Sequence, residues 1–159
     1  MDAFAEKPSL ERPKKTNRWS SMVDTLTKAE RSRRMSLIRS SNTSPELTLR
    51  KALHALGLRY RLHAKDLPGK PDIVFRAQRV ALLVHGCFWH RHEGCKVANM
   101  PKSNTAFWQG KFDKNVARDR ATKGRLEQLG WRVEVVWECE LHPKKLGETV
   151  RRLQLSIRD

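Results

Sequence analysis

The chain has 159 residues and a formal net charge of +16, from 33 Lys and Arg against 17 Asp and Glu. That length suits one domain with its own hydrophobic core. No apolar run approaches the roughly 18 residues that span a bilayer and the first residues lack a signal peptide's apolar stretch, so a cytoplasmic location is expected. So large an excess of cations is drawn to polyanions, of which a nucleic-acid backbone is the commonest, though charge alone does not separate DNA from RNA.

Residues 1–27 hold Pro8, Pro13 and scattered Lys, Arg, Ser and Thr without a sustained period, which reads as a disordered basic leader before a domain over 28–159. A short basic helix follows from Lys28 to Arg39, with Met35 and Ile38 as its apolar positions. It is either a solvated helix or an arm that lies along DNA. A second helix should open at Ser44-Pro45, with Ser44 as N-cap, Pro45 in the first turn and Glu46 favoured there by the helix dipole. Leu49, Ala52, Leu53 and Leu56 form its apolar face and Gly57 ends it.

Leu58–Leu62 alternates as a strand does. The turn Leu67-Pro68-Gly69-Lys70-Pro71 leads into a strand over Asp72–Phe75, and Gln78-Arg79 connects it to Val80–Val84, a continuous apolar run typical of a buried central strand. Residues 86–104 form a long irregular stretch rich in Cys, His and Trp, and loops of that length are functional or metal-stapled. A long helix is expected from Lys111 to Leu129, with Phe112, Val116, Leu126 and Leu129 inward and Asp119 on the same face. Trp131–Trp137 reads as a further strand and Glu148–Ile157 as a last amphipathic helix. This order predicts an α/β fold, a mixed sheet with helices on its faces.

Three cysteines, an odd number, argue against a disulfide framework. Cys87, His92 and Cys95 are spaced as Cys-x4-His-x2-Cys, and Cys139 lies just past the last strand. The four could form a tetrahedral zinc site tying the loop to the sheet; the alternative is three unrelated thiols. Pro71-Asp72 opens one strand and His85 ends the next, so a hairpin would bring both to one sheet edge. Nucleases that hold Mg²⁺ place an acid after Pro and carry acid-x-Lys on the second strand. Here that triplet is Leu83-Val84-His85, so the acid is missing and His replaces Lys. Taken alone, an Asp after Pro is more often a turn or strand-start residue than a ligand. His85, His90, Glu46 and Asp119 are candidates for the remaining chemistry, with an Arg salt bridge as the plainer role for Asp119. Phe88-Trp89 and Phe107-Trp108 could pack in the core or stack on bases.

Leu67-Pro68-Gly69-Lys70-Pro71-Asp72, His85-Gly86-Cys87-Phe88-Trp89-His90, Phe107-Trp108, Lys114–Arg120, Leu129-Gly130-Trp131-Arg132-Val133 and Trp137-Glu138-Cys139 together resemble the very-short-patch repair (Vsr) endonucleases, from about Lys28 to Leu141. The resemblance implies a restriction-endonuclease-like fold with a structural zinc. It also implies a bacterial, cytoplasmic and nucleoid-associated enzyme that nicks double-stranded DNA 5′ to the T of a T:G mismatch left by deaminated 5-methylcytosine. Its partners would be that DNA, a cytosine-5 DNA methyltransferase and a repair polymerase, with no membrane, and it would act as a monomer. By the same resemblance Asp72 and the Val84 backbone hold catalytic Mg²⁺ and His90 is the general base, supported by Asp119. His85 and Glu46 complete that site, while Cys87, His92, Cys95 and Cys139 bind Zn²⁺. Phe88, Trp89 and Trp108 wedge into the base stack, and Met35 approaches from the minor groove. Two departures stand out. Val84 replaces the family's usual Thr, and Glu93-Gly94 makes the His92–Cys95 spacing one residue longer, which the Gly could absorb. The competing functions are a restriction-type endonuclease cutting both strands of an intact site, and a zinc-stapled DNA-binding module without catalysis.

Overall fold

A computed structural model describes residues 27–37 and 41–158. The expected leader, apart from Thr27, lies outside the described residues, as do Ile38 and Arg39. The elements are α1 (Lys28–Ser36), α2 (Ser44–Ala55), β1 (Arg61–Leu62), β2 (Ile73–Phe75), β3 (Val80–His85), α3 (Thr105–Gln128), β4 (Arg132–Trp137), a 3-10 turn (Glu138–Leu141) and α4 (Pro143–Arg158). Met35 lies on α1; its side chain is outside the description. Among the described residues no helix is long and apolar enough to cross a membrane.

The sheet is mixed, in the order β1-β2-β3-β4. β1, β2 and β3 are antiparallel neighbours and β4 runs parallel to β3, with α3 as the crossover between them. Because successive side chains face opposite sides and both faces are covered, β2 and β3 are apolar up to His85. Ile73, Phe75, Val80, Leu82 and Val136 face α2 and α4, where they meet Leu49, Leu53, Val150, Leu153 and Ile157. Val74 and Ala81 face the other way, against Ala64, Leu126 of α3 and Trp131. The expected α/β layering is therefore present, and both faces of the hairpin are covered.

Several boundaries move. Thr43, not Ser44, caps α2, because the reciprocal capping pair needs an acid three residues on and Glu46 supplies it. Leu56 is the C-cap and 42% exposed, and Leu129, just past α3, is 50% exposed, so neither belongs to an inner face. Both stand where the chain leaves the helix. α3 begins six residues before the expected Lys111 and takes Phe107-Trp108 into its first turns, while α4 begins at Pro143 rather than Glu148. A Pro costs nothing at a helix start, because its missing N–H would have no partner there.

The turn before Asp72 is held tightly against α3. Ala64 N–H donates to Pro71 O at 3.3 Å, His63 N–H to Asp72 O at 3.1 Å and Lys70 N–H to Leu67 O at 3.1 Å. Gly69 has φ +69°, and a Cβ there would lie 2.2 Å from Thr122 Cγ2. A Gly69→Ala variant is therefore expected to lose about 2 kcal/mol or more of stability, from left-handed strain plus the clash. Urea unfolding measures it, and Thr122→Ser in the same chain should recover part. An unchanged midpoint would refute the close packing.

Candidate active site

The β2–β3 hairpin sets the site. Ile73 pairs with Leu82, so Asp72 just precedes β2 beside the carboxyl end of β3. Asp72 Oδ2 accepts the Val84 N–H at 2.7 Å. β4 ends in register with β3, His85 opposite Trp137, and this shared edge opens into a cleft of about 700 Å³. Glu46, Asp72, Val84, His85, His90 and Asp119 all line it.

Burial, aided by the negative charge of Glu46 and only partly offset by the Val84 N–H, pushes the Asp72 carboxyl up to about 6. Glu46 is itself 3% exposed. Its Oε2 accepts from Asn42 N–H at 3.0 Å and Arg50 Nη2 at 2.7 Å, and its Oε1 from the Thr43 hydroxyl at 3.0 Å and Thr43 N–H at 3.4 Å. The carboxylate is thus held rigidly at the start of α2. His63 joins it: donor atoms of Glu46, His63 and Asp72 lie within 4.8 Å of one another.

On the opposite wall, His90 Nδ1 lies 2.5 Å from Asp119 Oδ2. Burial pushes the Asp119 carboxyl up, but the His90 hydrogen bond and the charges of His90, His85 and Arg118 outweigh it and bring it below its ordinary value. So the α3 acid pairs with a histidine and not with an arginine. The rings of His85 and His90 stack with centroids 4.0 Å apart and planes 11° off parallel. Burial first, then the charge of His90, lowers His85 to about 4, which leaves it neutral near pH 7.

The cysteine cluster lies directly behind. Donor atoms of Cys87, His92, Cys95 and Cys139 fall within 4.8 Å of one another, with His92 Nδ1 3.6 Å from Cys87 Sγ and 3.3 Å from Cys139 Sγ. A tetrahedral zinc with ordinary bond lengths would separate such N and S atoms by about 3.5 Å. Burial pushes the Cys87 thiol up to about 12. Three thiols and an imidazole at this spacing fit a soft or borderline metal ion. The long His92–Cys95 spacing is accommodated by a turn, with Gly94 at φ +67° and Cys95 N–H donating to His92 O at 3.3 Å.

The aromatic residues form one cluster above the cleft. Phe88 meets Trp89, Trp108 and Phe112 edge-on, at 5.0, 5.6 and 5.1 Å between centroids. Trp89 lines the cleft, Trp108 is 5% exposed and Phe107 47% exposed.

Against known proteins, the family model described as DNA mismatch endonuclease Vsr matches residues 23–96. The type II nicking enzyme V.XorIIP of Xanthomonas oryzae is 49% identical, over 84% of this chain and 96% of its own length. Type II nicking enzyme V.NmeAIP of Neisseria meningitidis is 44% identical, over 87% of this chain and 99% of its own. The DNA mismatch endonuclease Vsr of Escherichia coli is 43% identical, over 78% of this chain and 79% of its own. The chain belongs to the Vsr endonuclease family.

As a Vsr-family protein it is a DNA-cleaving hydrolase with DNA as its substrate, and the family implies a divalent metal. Asp72 can take one. Its Oδ1 has no hydrogen-bond partner among the described residues, a second carboxylate stands nearby, and such hard oxygens suit a divalent cation. Sequence reasoning did not find His63 or Arg50. Arg50 donates to Glu46, to Asn42 Oδ1 at 2.6 Å and to His63 Nε2 at 2.9 Å, a constellation made only by folding. Trp137, the last residue of β4, packs against a histidine of each neighbouring cluster. The His92 ring stacks on it at 4.2 Å and His85 meets it edge-on at 5.4 Å. Trp131 is buried, 8% exposed.

Proposed function

We propose that this Vsr-family endonuclease nicks double-stranded DNA 5′ to the T of a T:G mismatch, the product of 5-methylcytosine deamination, and so begins short-patch repair. Support for the substrate comes from the E. coli relative, whose name is DNA mismatch endonuclease, at 43% identity. The observation that carries the reading is the run Phe88-Trp89-His90, in which the aromatic cluster and the histidine paired with Asp119 are consecutive in the chain, and Trp89, His90, Asp119 and Asp72 line one cleft.

Asp72, with the Val84 backbone, is the proposed holder of Mg²⁺, which when bound neutralises phosphate charge and acidifies a water. His90 donates Nδ1–H to Asp119, which leaves its lone pair on Nε2. That nitrogen takes the proton of the attacking water as the water oxygen bonds to phosphorus and the bridging P–O bond breaks, the leaving oxygen taking a proton from a neighbouring water to end as a hydroxyl. His85, neutral near pH 7, and Glu46 orient water around the phosphate. Cys87, His92, Cys95 and Cys139 hold a structural Zn²⁺. Phe88, Trp89 and Met35 are the proposed wedge, with Trp108 beneath Phe88 as its footing until DNA draws it out. Unstacking costs a few kcal/mol, and a mispaired step has already lost part of that stacking, which favours mismatched over matched DNA. A monomer suffices for a single-strand nick; a cytosine-5 methyltransferase creates the need for it and a repair polymerase consumes the product.

With Mg²⁺, the purified protein is expected to nick the T strand of a duplex with one T:G pair and to spare its T:A control, read on strand-resolved gels. Equal cutting of both duplexes would overturn mismatch specificity, and cutting of both strands would favour a restriction-type activity.

A further inference from the structure

β3 runs Val80-Ala81-Leu82-Leu83-Val84-His85 and so offers no lysine or arginine to the phosphate. α3 supplies cations from the facing wall. Lys111, Asn115, Arg118, Asp119 and Thr122 recur at helical spacing and all line the cleft. We infer that Arg118 is the residue that clamps the DNA phosphate at the nicking centre, and that Asn115 sets its orientation by tying it to the backbone of Trp89.

Arg118 immediately precedes Asp119 on α3, and because adjacent helical side chains do not face each other the two are not paired; Asp119 pairs with His90 instead. Among the described residues the guanidinium has one hydrogen bond, Nη2 to Asn115 Oδ1 at 3.0 Å, and no carboxylate within 4.0 Å. The rest of its planar fork is open to the cleft, and a fork of N–H donors matches two oxygens of a phosphate. Its charge is close enough to act on both His85 and Asp119.

Asn115 explains how an exposed arginine is aimed. Its Nδ2 donates to Trp89 O at 3.1 Å while its Oδ1 accepts from Arg118. Only one orientation of the amide satisfies both partners, since a carbonyl can only accept and a guanidinium only donate. The bridge links the backbone of the aromatic run to the phosphate clamp.

This inference rests on the cleft being the nicking centre, and the test separates the two. Single-turnover nicking is measured on whichever duplex, T:G or matched, the wild type cuts faster, and binding to the same duplex is measured with Ca²⁺ in place of Mg²⁺. Arg118→Ala is expected to slow nicking by about 10²-fold or more, the typical cost of one charge-stabilising donor, while Kd changes by less than about threefold. Arg118→Lys should recover part of the rate, and added guanidinium ion should restore part of it to Arg118→Ala but none to Asp72→Ala. Asn115→Ala should slow nicking less, and add nothing in the Arg118→Ala background, because the two act as one unit. Nicking by Arg118→Ala within about threefold of wild type, or a loss seen wholly as weaker binding, would overturn the clamp. A wild type that cuts only the matched duplex would overturn mismatch specificity and leave the Arg118 comparison standing on its own ratio.

Discussion

Asp72→Asn protein is expected to bind a T:G duplex as tightly as the wild type, to nick it at least about 10³-fold more slowly, and yet to melt at a higher temperature in chelator. The rate loss follows from removing the charged oxygen donor proposed to hold the catalytic cation. The gain in stability follows from the raised Asp72 pKa, about 6 against 3.8 in the unfolded chain. A carboxyl raised on folding contributes stability that is fully present below about 4 and is lost as pH rises through about 6. At pH 7 the metal-free wild type therefore carries a buried charge that burial and Glu46 both oppose, and Asn never carries it. The difference is on the order of 1–3 kcal/mol, the upper end being the full shift at about 1.4 kcal/mol per unit. Asn keeps an oxygen for the Val84 N–H, so the hairpin is preserved. Mg²⁺ should then reverse the order, raising the melting temperature of the wild type and leaving the variant unmoved. A variant that melts lower than wild type at pH 7 in chelator, or that still nicks, would sink this account.

The second large effect is structural. Under the proposed zinc site, Cys139→Ala should retain little zinc and melt at least about 10 °C lower, since a loss of several kcal/mol shifts a chain of this size by about 2–4 °C per kcal/mol. Cys139 follows β4 and Cys87 follows β3, so a metal held between them fastens the long loop to the parallel strand pair. His92 would lose its partner at 3.3 Å and keep Cys87 Sγ at 3.6 Å and the Trp137 stack. His90 lies within this same loop, its N–H bonded to Gly86 O at 3.1 Å, so nicking should fail together with folding. Elemental analysis beside thermal melting decides it: a full equivalent of zinc in Cys139→Ala would remove that residue from the ligand set.

What the sequence disclosed follows from how local each feature is. The β2–β3 hairpin and the buried β3 run were legible because apolar period and turn residues lie within a few positions of one another. The Cys-x4-His-x2-Cys spacing was legible for the same reason, and Cys139 could be added only on a guess about where β4 would end. The start of α3 was not legible. Phe107-Trp108 before Gly110 resembles a loop, and only packing of Trp108 against Phe88 and Phe112 shows why a helix forms there. β1 shrank to two paired residues because Leu58 and Tyr60 pack against the core outside the ladder. Arg50 carried a readable signal that was passed over, its i,i+4 spacing from Glu46 on α2. His63 comes from the segment after β1 and meets Arg50 only on folding, so no local pattern announces it.

Phe88, Trp89 and His90 are consecutive residues, braced by backbone bonds from His90 N to Gly86 O and from His92 N to Cys87 O, both 3.1 Å. Under the proposed roles, the part that finds the distorted base step and the part that attacks the phosphate stand one or two residues apart, at about 3.8 Å each. The offset between lesion and cut is then a covalent length, like the spacing of marks on a gauge. Substitution can dull either mark but cannot move it. A relative that cut at another phosphate would need a residue added or removed between Trp89 and His90, and a single-residue insertion there should shift the position of the nick or abolish it.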